Sequence, residues 1–192
     1  RGKKIYKQKT MDNDVILVNR FDLEIGSMDK LKAHQEGALH RAFSIFLFNG
    51  KGEMLMQRRA LEKYHSPGLW TNTCCSHPAP GESVMNAARR RLKMEMGMKS
   101  VLEYQFEFYY KSGYENGLIE HEIDHVLFGE SEEQPLLNTE EAYDWKYMSI
   151  AQVQNDIEIN PENYTTWFRI CLPKVILAYE AKNITHLLQR FG

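Results

Sequence analysis

Two adjacent cysteines lie beside a serine and a histidine in one short segment, TNTCCSHPAPGES, at residues 71–83. A thiol has a solution pKa of about 8.5, so a cysteine can give or take a proton near neutral pH. A disulfide between chain neighbours is strained, and the C-x-x-C spacing of most metal–thiolate sites is absent. The segment therefore favours proton transfer by a thiol over a metal site that uses both Cys74 and Cys75.

Acidic residues recur at every second position in the segment LIEHEID, at residues 118–124. Because successive side chains of a strand point to opposite faces, Glu120, Glu122 and Asp124 are predicted to share one face. One interpretation is a half-exposed strand with its polar face in water. The other is that Glu120 and Glu122 flank a metal ion or a proton-transfer site, since two close carboxylates raise each other's pKa unless a cation lies between them.

The chain has seven histidines, and three of them are candidate metal ligands. His34 and His40 precede a predicted strand, and His77 lies in the cysteine segment. No predicted helix carries the i, i+4 histidine pair of a helix-borne zinc site. A single histidine is usually a satisfied surface or core residue, so ligation requires these three to converge with the glutamates in the fold.

Charged residues elsewhere suggest an acid that points inward and an anion site. Glu95 lies on the apolar face of a predicted helix, and a buried carboxylate needs a partner. That partner is either a base or cation in the site or a structural ion pair with one of residues 89–91 or with a strand residue. Lys30, Arg59 and Lys63 are ordinary surface residues when considered singly. Together they could line a diphosphate site, because that group requires several cations and donors.

Composition indicates one globular domain and excludes several classes of protein. The 192 residues are 43% hydrophobic, which is enough for one core. The formal net charge is −2 without a long basic stripe, so no nucleic-acid partner is expected. No apolar run approaches the roughly 18 residues of a membrane span. Three cysteines form no disulfide framework, which predicts a reducing, cytoplasmic setting.

Hydrophobic periodicity predicts alternating strands and helices. Strands are expected at residues 14–19, 41–48, 53–59, 69–73, 101–111, 118–130 and 142–149. Helices are expected from residue 84 to a stop at Gly97, from residue 149 to about 156, and from 161 to about 181 with a kink at Pro173. Residues 21–34 are expected to form a turn and an arm. The pattern predicts an α/β or α+β fold in which a mixed β-sheet is sandwiched between helices.

The predicted domain boundaries divide the chain into three parts. Residues 1–13 form a basic amino-terminal arm, which is either natural or an addition that precedes a natural start at Met11. Residues 14–182 form the single domain. Residues 183–192 form a carboxy-terminal tail.

The segment SHPAPGESVMNAARRRLKMEMGM resembles the Nudix box, in which a glycine, glutamates and an arginine recur at fixed spacing. The positions that match are Glu82, Arg90, Leu92, Glu95, Gly97 and Met98. Ser76 replaces the glycine, and Arg91 and Met94 stand where the family has metal-binding glutamates. Because Nudix hydrolases collect divalent ions on these acids to activate water, the resemblance implies the fold but gives poor support to hydrolysis.

Further motifs are similar to those of type I isopentenyl-diphosphate isomerases, which are Nudix relatives. The motifs are AFSIFLFN, PGLWTNTCCSHP, LIEHE and TTWF, and the likeness extends from about Asp14 to Ala181. The resemblance implies interconversion of isopentenyl and dimethylallyl diphosphate, a 1,3 proton shift through a tertiary carbocation in isoprenoid biosynthesis.

The resemblance also implies a role for each matching residue. The implied catalytic residues are Cys75, Glu122, Tyr110 and Trp167. The implied contacts to the substrate diphosphate are Lys30, Arg59, Lys63 and Ser76. The implied ligands of a divalent metal are His34, His40, His77, Glu120 and Glu122, while Glu95 is expected to help hold a Mg2+ ion on the diphosphate. Whether Cys75 or Glu122 gives the proton in the forward direction stays open.

The expected cofactors are Mg2+ on the substrate and one divalent ion, Zn2+, Mn2+ or Mg2+, at the histidine and glutamate site. Three imidazoles with two carboxylates favour zinc or a transition metal over Mg2+. The expected partner is the small-molecule diphosphate, with the protein a monomer or weak dimer and with neither nucleic acid nor membrane bound. A Nudix-type diphosphohydrolase is the alternative function, and a non-enzymatic metal-binding module is a third.

Overall fold

The computed structural model describes residues 13–191, with side chains described as far as residue 185. The predicted basic arm, including Met11, lies outside the described residues except for Asn13. In the described part of the chain, no helix is both long enough and apolar enough to cross a lipid bilayer.

Nine strands form one mixed sheet in the described residues. The strands are β1 (Asp14–Val18), β2 (Glu24–Asp29), β3 (His40–Phe48), β4 (Glu53–Arg59), β5 (Trp70–Thr71), β6 (Cys74–Ser76), β7 (Glu103–Gly113), β8 (Ile119–Glu130) and β9 (Ala142–Ser149). The helices are α1 (Lys30–Glu36), α2 (Val84–Met96), α3 (Ile150–Ile159), a short 3-10 helix (Pro161–Asn163) and α4 (Thr166–Phe191). The predicted fold class, a mixed sheet between helices, is confirmed.

Strand β3 is the centre of the sheet. Along one edge it pairs in parallel with β8 over its whole length, from His40 opposite Glu122 to Phe48 opposite Glu130. Its other edge is shared in turn by β1, β6 and β4, each in antiparallel orientation. The sheet continues through β7 beside β8 and through β9 and β5 beside β4. Residues from distant parts of the sequence therefore meet across β3.

Alternation along β3 divides the interior into two cores. Phe46 and Phe48 pack towards α3 and α4, in a cluster that also contains Trp167 and Phe168. Phe43, Ile45 and Leu47 pack on the other side, in the cluster that contains the buried face of α2. This period of two is the expected pattern for a strand that is buried on both faces, and it leaves the helices as two outer layers.

The segment predicted as a turn and an arm is instead strand β2 followed by helix α1, so that prediction was wrong. The Asp29 side chain caps the helix by accepting a hydrogen bond from the Lys32 backbone N–H at 3.1 Å. Gly37 ends the helix in the left-handed conformation, with φ of 63°. A helix of seven residues is too short to produce a clear hydrophobic period, so its two caps define it.

The last helix differs from the prediction at both ends. The proline at position 161 begins a separate 3-10 turn that ends at Asn163, and α4 begins only at Thr166. The helix then continues past residue 181 to Phe191, so it includes residues 183–191 of the predicted carboxy-terminal segment. The late start brings the first turn of α4, with Trp167, against the sheet.

Helix α2 ends at Gly97, as predicted, and a neighbouring loop satisfies its last carbonyl groups. The backbone N–H groups of Leu136 and Asn138 donate to the carbonyls of Met96 and Glu95, each at 2.9 Å. Gly97 has φ of 67°, and a Cβ at this position would lie 2.6 Å from the Leu136 carbonyl oxygen. The absence of a side chain at position 97 therefore lets the loop of residues 131–141 pack on the helix.

Substitution of this glycine tests the importance of that contact. We expect Gly97→Ala to lower the free energy of unfolding by about 2–4 kcal/mol, because it combines a left-handed residue with a clash against backbone. Gly113→Ala is the matched control, since a Cβ there meets nothing within 4 Å. Urea denaturation of both variants and of the wild type measures the change in the free energy of unfolding. Equal stability of the two variants would contradict this account.

Candidate active site

The two cysteines of β6 face opposite sides of the sheet. Cys74 is fully buried in the cluster formed with α2. Cys75, the next residue, packs on the other side and lines a cavity there. The Asn72 amide fixes the strand by donating to the carbonyls of Ile45 and Cys74, at 3.1 and 2.9 Å. Burial raises the pKa of the Cys75 thiol, which keeps it protonated in the free protein.

The three acids of β8 are all buried and line the same cavity. Glu120, Glu122 and Asp124 are 3%, 5% and 2% exposed, so a polar face in water, one of the two interpretations above, is wrong. Glu122 lies between its strand neighbours His40 on β3 and Tyr110 on β7. Burial would suppress ionisation of a lone carboxyl, so each acid requires partners.

Three imidazoles surround Glu122. Its Oε1 atom lies 3.0 Å from His77 Nε2, 3.3 Å from His40 Nε2 and 4.0 Å from His34 Nε2. Although burial opposes ionisation, the close approach of the His40 and His77 imidazoles lowers the pKa of Glu122 well below its usual range. Burial also lowers the pKa of His34, and that of His77 to about 3, so these rings are neutral and their lone pairs are available.

The arrangement of these four groups fits a divalent metal. The Nδ1 atoms of His34 and His40 lie 2.6 and 2.8 Å from the backbone carbonyls of Lys30 and Ala38, which fixes each Nε2 lone pair inward. The four ligand atoms all lie within 4.8 Å of one another. His34 Nε2 is buried without a hydrogen-bond partner, as expected for a ligand atom that awaits an ion. Ligand atoms that each lie about 2.1 Å from the same ion are likewise only a few ångströms from one another, so this spacing fits one ion.

Glu120 lies beside this group without being part of it. Its Oε2 atom accepts hydrogen bonds from the hydroxyls of Tyr114 and, at 3.1 Å, Tyr110. Tyr110 also lies 2.7 Å from Glu122 Oε2. The Tyr110 hydroxyl has one proton and can donate to only one of the two carboxyls. The other carboxyl must therefore carry a proton of its own and donate it to the Tyr110 oxygen. Burial and the Glu122 carboxylate raise the pKa of Glu120 to about 8, which makes it the protonated member.

Four cations line the same cavity. They are Lys30, Arg59, Lys63 and Arg91. Burial, together with the charges of Arg59 and Arg91, lowers the pKa of Lys30. Glu141 offsets part of this charge, because it pairs with Lys63 and, at 3.0 Å, with Arg91. Mutual repulsion among the cations makes the cavity a favourable place for a multiply charged anion. Ser76 lines the same cavity.

Glu95 has the structural ion pair that was one of its two expected partners. It is 4% exposed and receives two hydrogen bonds from the Arg91 guanidinium, at 2.8 and 3.0 Å. The Gln57 amide donates to its other oxygen at 3.1 Å. Arg91 occupies a position where the Nudix box has a glutamate, so a cation neutralises the remaining acid at the place where hydrolases gather metal ions.

Trp167 closes the cavity from the first turn of α4. It is 3% exposed, and the Arg59 guanidinium lies 5.1 Å from its ring centroid. Arg59 is held by the backbone carbonyls of Ser66 and His65, each at 3.1 Å. The indole therefore lines the cavity next to one of its cationic side chains.

The fold brings the predicted site residues together. Eleven of the thirteen line the cavity, and His34 and His40 lie against Glu122 beside it. Sequence reasoning missed other lining residues, which are Ala42, Phe43, Gln57, Tyr64, His65, Arg91, Asp124 and Glu141. Arg91 could have been found, because an arginine in a glutamate position of the box is a visible departure. His65 and Glu141 carry no local signal.

Comparison with known proteins gives consistent matches. The Nudix domain family matches residues 38–168. An isopentenyl-diphosphate Delta-isomerase 2 of Aromatoleum aromaticum is 46% identical over 182 residues, covering 95% of this chain and 96% of that protein. An isopentenyl-diphosphate Delta-isomerase of Pectobacterium atrosepticum is 44% identical over 162 residues, covering 84% and 90%.

Two solved structures share the fold. DR0079 from Deinococcus radiodurans has a TM-score of 0.71 at 16% identity, covering 84% of this chain and 98% of that chain. The MutT protein from Methanosarcina mazei Go1 has a TM-score of 0.60 at 18% identity, covering 76% and 95%. At such low identity the likeness concerns architecture alone. The family match and the extent of the sequence identity establish that this chain belongs to the Nudix superfamily and, within it, to the isopentenyl-diphosphate Delta-isomerase family.

Proposed function

We propose that this protein is an isopentenyl-diphosphate Delta-isomerase that moves a double bond by adding one proton and removing another. The observation that carries the proposal is the lining of one cavity. Cys75 on β6 and Glu122 on β8 line it from strands on opposite edges of β3, and four cationic side chains line it with them. Family membership supports the same function.

The reaction requires an acid and a base on either side of a hydrocarbon. Isopentenyl diphosphate gains a proton at its terminal methylene and loses one from the allylic carbon, which gives dimethylallyl diphosphate. An alkene is a very weak base, so both groups must be within proton-transfer reach. Cys75 and Glu122 are the two proton-transfer groups, and Tyr110, bonded to Glu122 at 2.7 Å, links that carboxyl to Glu120.

The cavity between these groups suits the five-carbon chain. Ala42 on β3 lines it with a side chain small enough to leave space for substrate. The Trp167 indole offers a π-face to the tertiary carbocation, which has no heteroatom to share its charge. Burial of Tyr110, Glu122 and Trp167 limits the access of water, which would otherwise trap the cation as an alcohol.

The cationic side chains bind the diphosphate. Lys30, Arg59 and Lys63 supply the charge predicted from the sequence, Ser76 adds a hydroxyl, and Arg91 adds a guanidinium. Glu95 would help to hold a Mg2+ ion on the diphosphate.

His34, His40, His77 and Glu122 would hold a second divalent ion, with Glu120 as a further ligand. The donor set of neutral imidazoles and carboxylates favours Zn2+ or Mn2+ over Mg2+. When bound, this ion orients Glu122 and sets its protonation state. The free thiols of the described chain suit a reducing, cytoplasmic compartment, because Cys75 acts only when reduced.

Hydrolysis of a diphosphate is less well supported. A Nudix hydrolase gathers several metal ions on the acids of the box. Here Arg91 and Met94 replace two of those acids, and Glu95 is paired with Arg91 at 2.8 Å. No observation favours a second function strongly enough to propose it.

Reaction in D2O distinguishes the two activities. We expect incubation with isopentenyl diphosphate to place deuterium in a methyl group of dimethylallyl diphosphate, because the incoming proton comes from exchangeable groups. Mass spectrometry and NMR detect the label, and a phosphate assay detects hydrolysis. Release of phosphate or diphosphate without labelled product would contradict the proposed function.

The two cysteines provide a matched pair of variants. We expect Cys75→Ala to lower kcat by at least about 100-fold, because a proton-transfer group is lost. Cys74→Ala should keep kcat within about 3-fold of wild type, since that thiol faces the α2 core. Steady-state assays of both proteins measure the difference. Similar losses from the two substitutions would overturn the assignment of Cys75.

Selective metal removal tests the histidine site separately from the substrate Mg2+. We expect a chelator selective for transition metals, used with excess Mg2+, to abolish turnover, because Glu122 loses its orientation. Added Zn2+ or Mn2+ should restore the rate, and metal analysis by mass spectrometry should give one ion per chain. Full activity in metal-depleted protein with Mg2+ alone would remove the need for a second ion.

A further inference from the structure

His65 is buried beside the metal group, although neither the Nudix box nor the isomerase motifs include it. It lies in the loop that follows β4, and it is 8% exposed. Its ring stacks near that of His34, with centroids 5.9 Å apart and planes at 25°. The rings of Tyr64, Tyr114 and Trp167 contact it at 4.7, 5.7 and 5.8 Å. Such packing on several sides fixes the orientation of the imidazole.

The Nδ1 atom of His65 is buried and has no hydrogen-bond partner. Its nearest acidic neighbour is Glu120, whose Oε1 atom lies 3.8 Å away. That distance is too long for a hydrogen bond, yet it leaves no space for water between the two atoms. A buried polar atom without a hydrogen bond lowers the stability of the protein. A small movement of either side chain would allow a hydrogen bond between His65 Nδ1 and Glu120 Oε1.

Glu120 also has an oxygen available for such a movement. Its Oε2 atom is used by the hydroxyls of Tyr110 and Tyr114, whereas Oε1 faces His65. His34 belongs both to the group with His40, His77 and Glu122 and to a group with His65 and Glu120. The ligand atoms of His34, His65 and Glu120 all lie within 4.8 Å of one another, so Glu120 can face an ion bound to His34 while its Oε1 atom lies next to His65.

We propose that His65 is a positioning residue for Glu120, donating a hydrogen bond from Nδ1 to Oε1 when Glu120 ligates the metal. This inference rests on the proposed metal site. Partners outside the ligand shell hold carboxylate ligands in place, and their loss typically weakens metal binding by about 10–100-fold. His65 provides such a partner on one oxygen, while the tyrosines hold the other.

Zinc affinity of the full-length protein tests the inference without reference to turnover. The protein is freed of metal and titrated with Zn2+ against a competing chelator. We expect His65→Leu to weaken binding by about 10–100-fold. His65→Asn should bind within about 3-fold of wild type, because its amide nitrogen occupies nearly the place of Nδ1 and donates the same bond.

His125→Leu is the matched control. That histidine is also 8% exposed, but it lies on the other face of β8, where it pairs with Asp22 at 3.0 Å. We expect unchanged zinc affinity, which would also show that the group of Asp22, Glu107 and His125 is not the source of the measured binding. Thermal unfolding of each metal-free variant checks that the proteins are folded.

Three outcomes would overturn the proposal. Zinc binding by His65→Leu equal to wild type would remove the role of His65. Binding by His65→Asn as weak as that of His65→Leu would indicate a direct imidazole ligand or a packing role. Wild-type binding that is absent, or that survives Glu122→Gln, would overturn the metal site itself. Isomerase activity measured in parallel distinguishes that last result from failure of the proposed function.

Discussion

Burial of three carboxyl groups on one face of β8 is the constraint around which the site is organised. Glu120, Glu122 and Asp124 are each almost inaccessible to water, and a charge in the interior requires partners. The chain satisfies each acid differently. Imidazoles surround Glu122, tyrosine hydroxyls bond to Glu120, and the Ser44 hydroxyl donates to Asp124 at 2.7 Å. A divalent ion among the imidazoles would balance the remaining charge.

This constraint produces a cavity lined by groups of both charges and by apolar side chains. Acids and imidazoles share its wall with lysine and arginine side chains, and Trp167 and Ala42 also line it. A substrate that combines a compact hydrocarbon with a diphosphate matches these three kinds of group. Glu141 and Glu95 hold part of the cationic group in ion pairs.

The protein has the Nudix fold, but its proposed proton-transfer groups do not lie on the helix of the Nudix box. Helix α2 still begins and ends as the box requires, with Glu82 and Arg90 paired at 2.7 Å and Gly97 at its end. Its face towards the cavity now carries an Arg91–Glu95 ion pair. The proton-transfer groups come instead from β6 and β8, on either edge of β3. Replacement of a few side chains on a stable fold is thus sufficient to support a different reaction.

Local patterns in the sequence determined most of the secondary structure and the identity of the chemical groups. Alternation along residues 41–48 and 118–130 and the glycine at position 97 act through torsion angles and neighbours within a few residues, so strands and a helix end could be predicted. The seven-residue helix α1 and the late start of α4 were missed, because caps and packing define them. Only the tertiary structure decided which polar groups meet. Two pairs of residues illustrate this, His65 with Glu120 and Lys63 with Glu141. The members of each pair are far apart in sequence. They approach each other only because of the strand register and the packing of the two hydrophobic cores, which no local signal specifies.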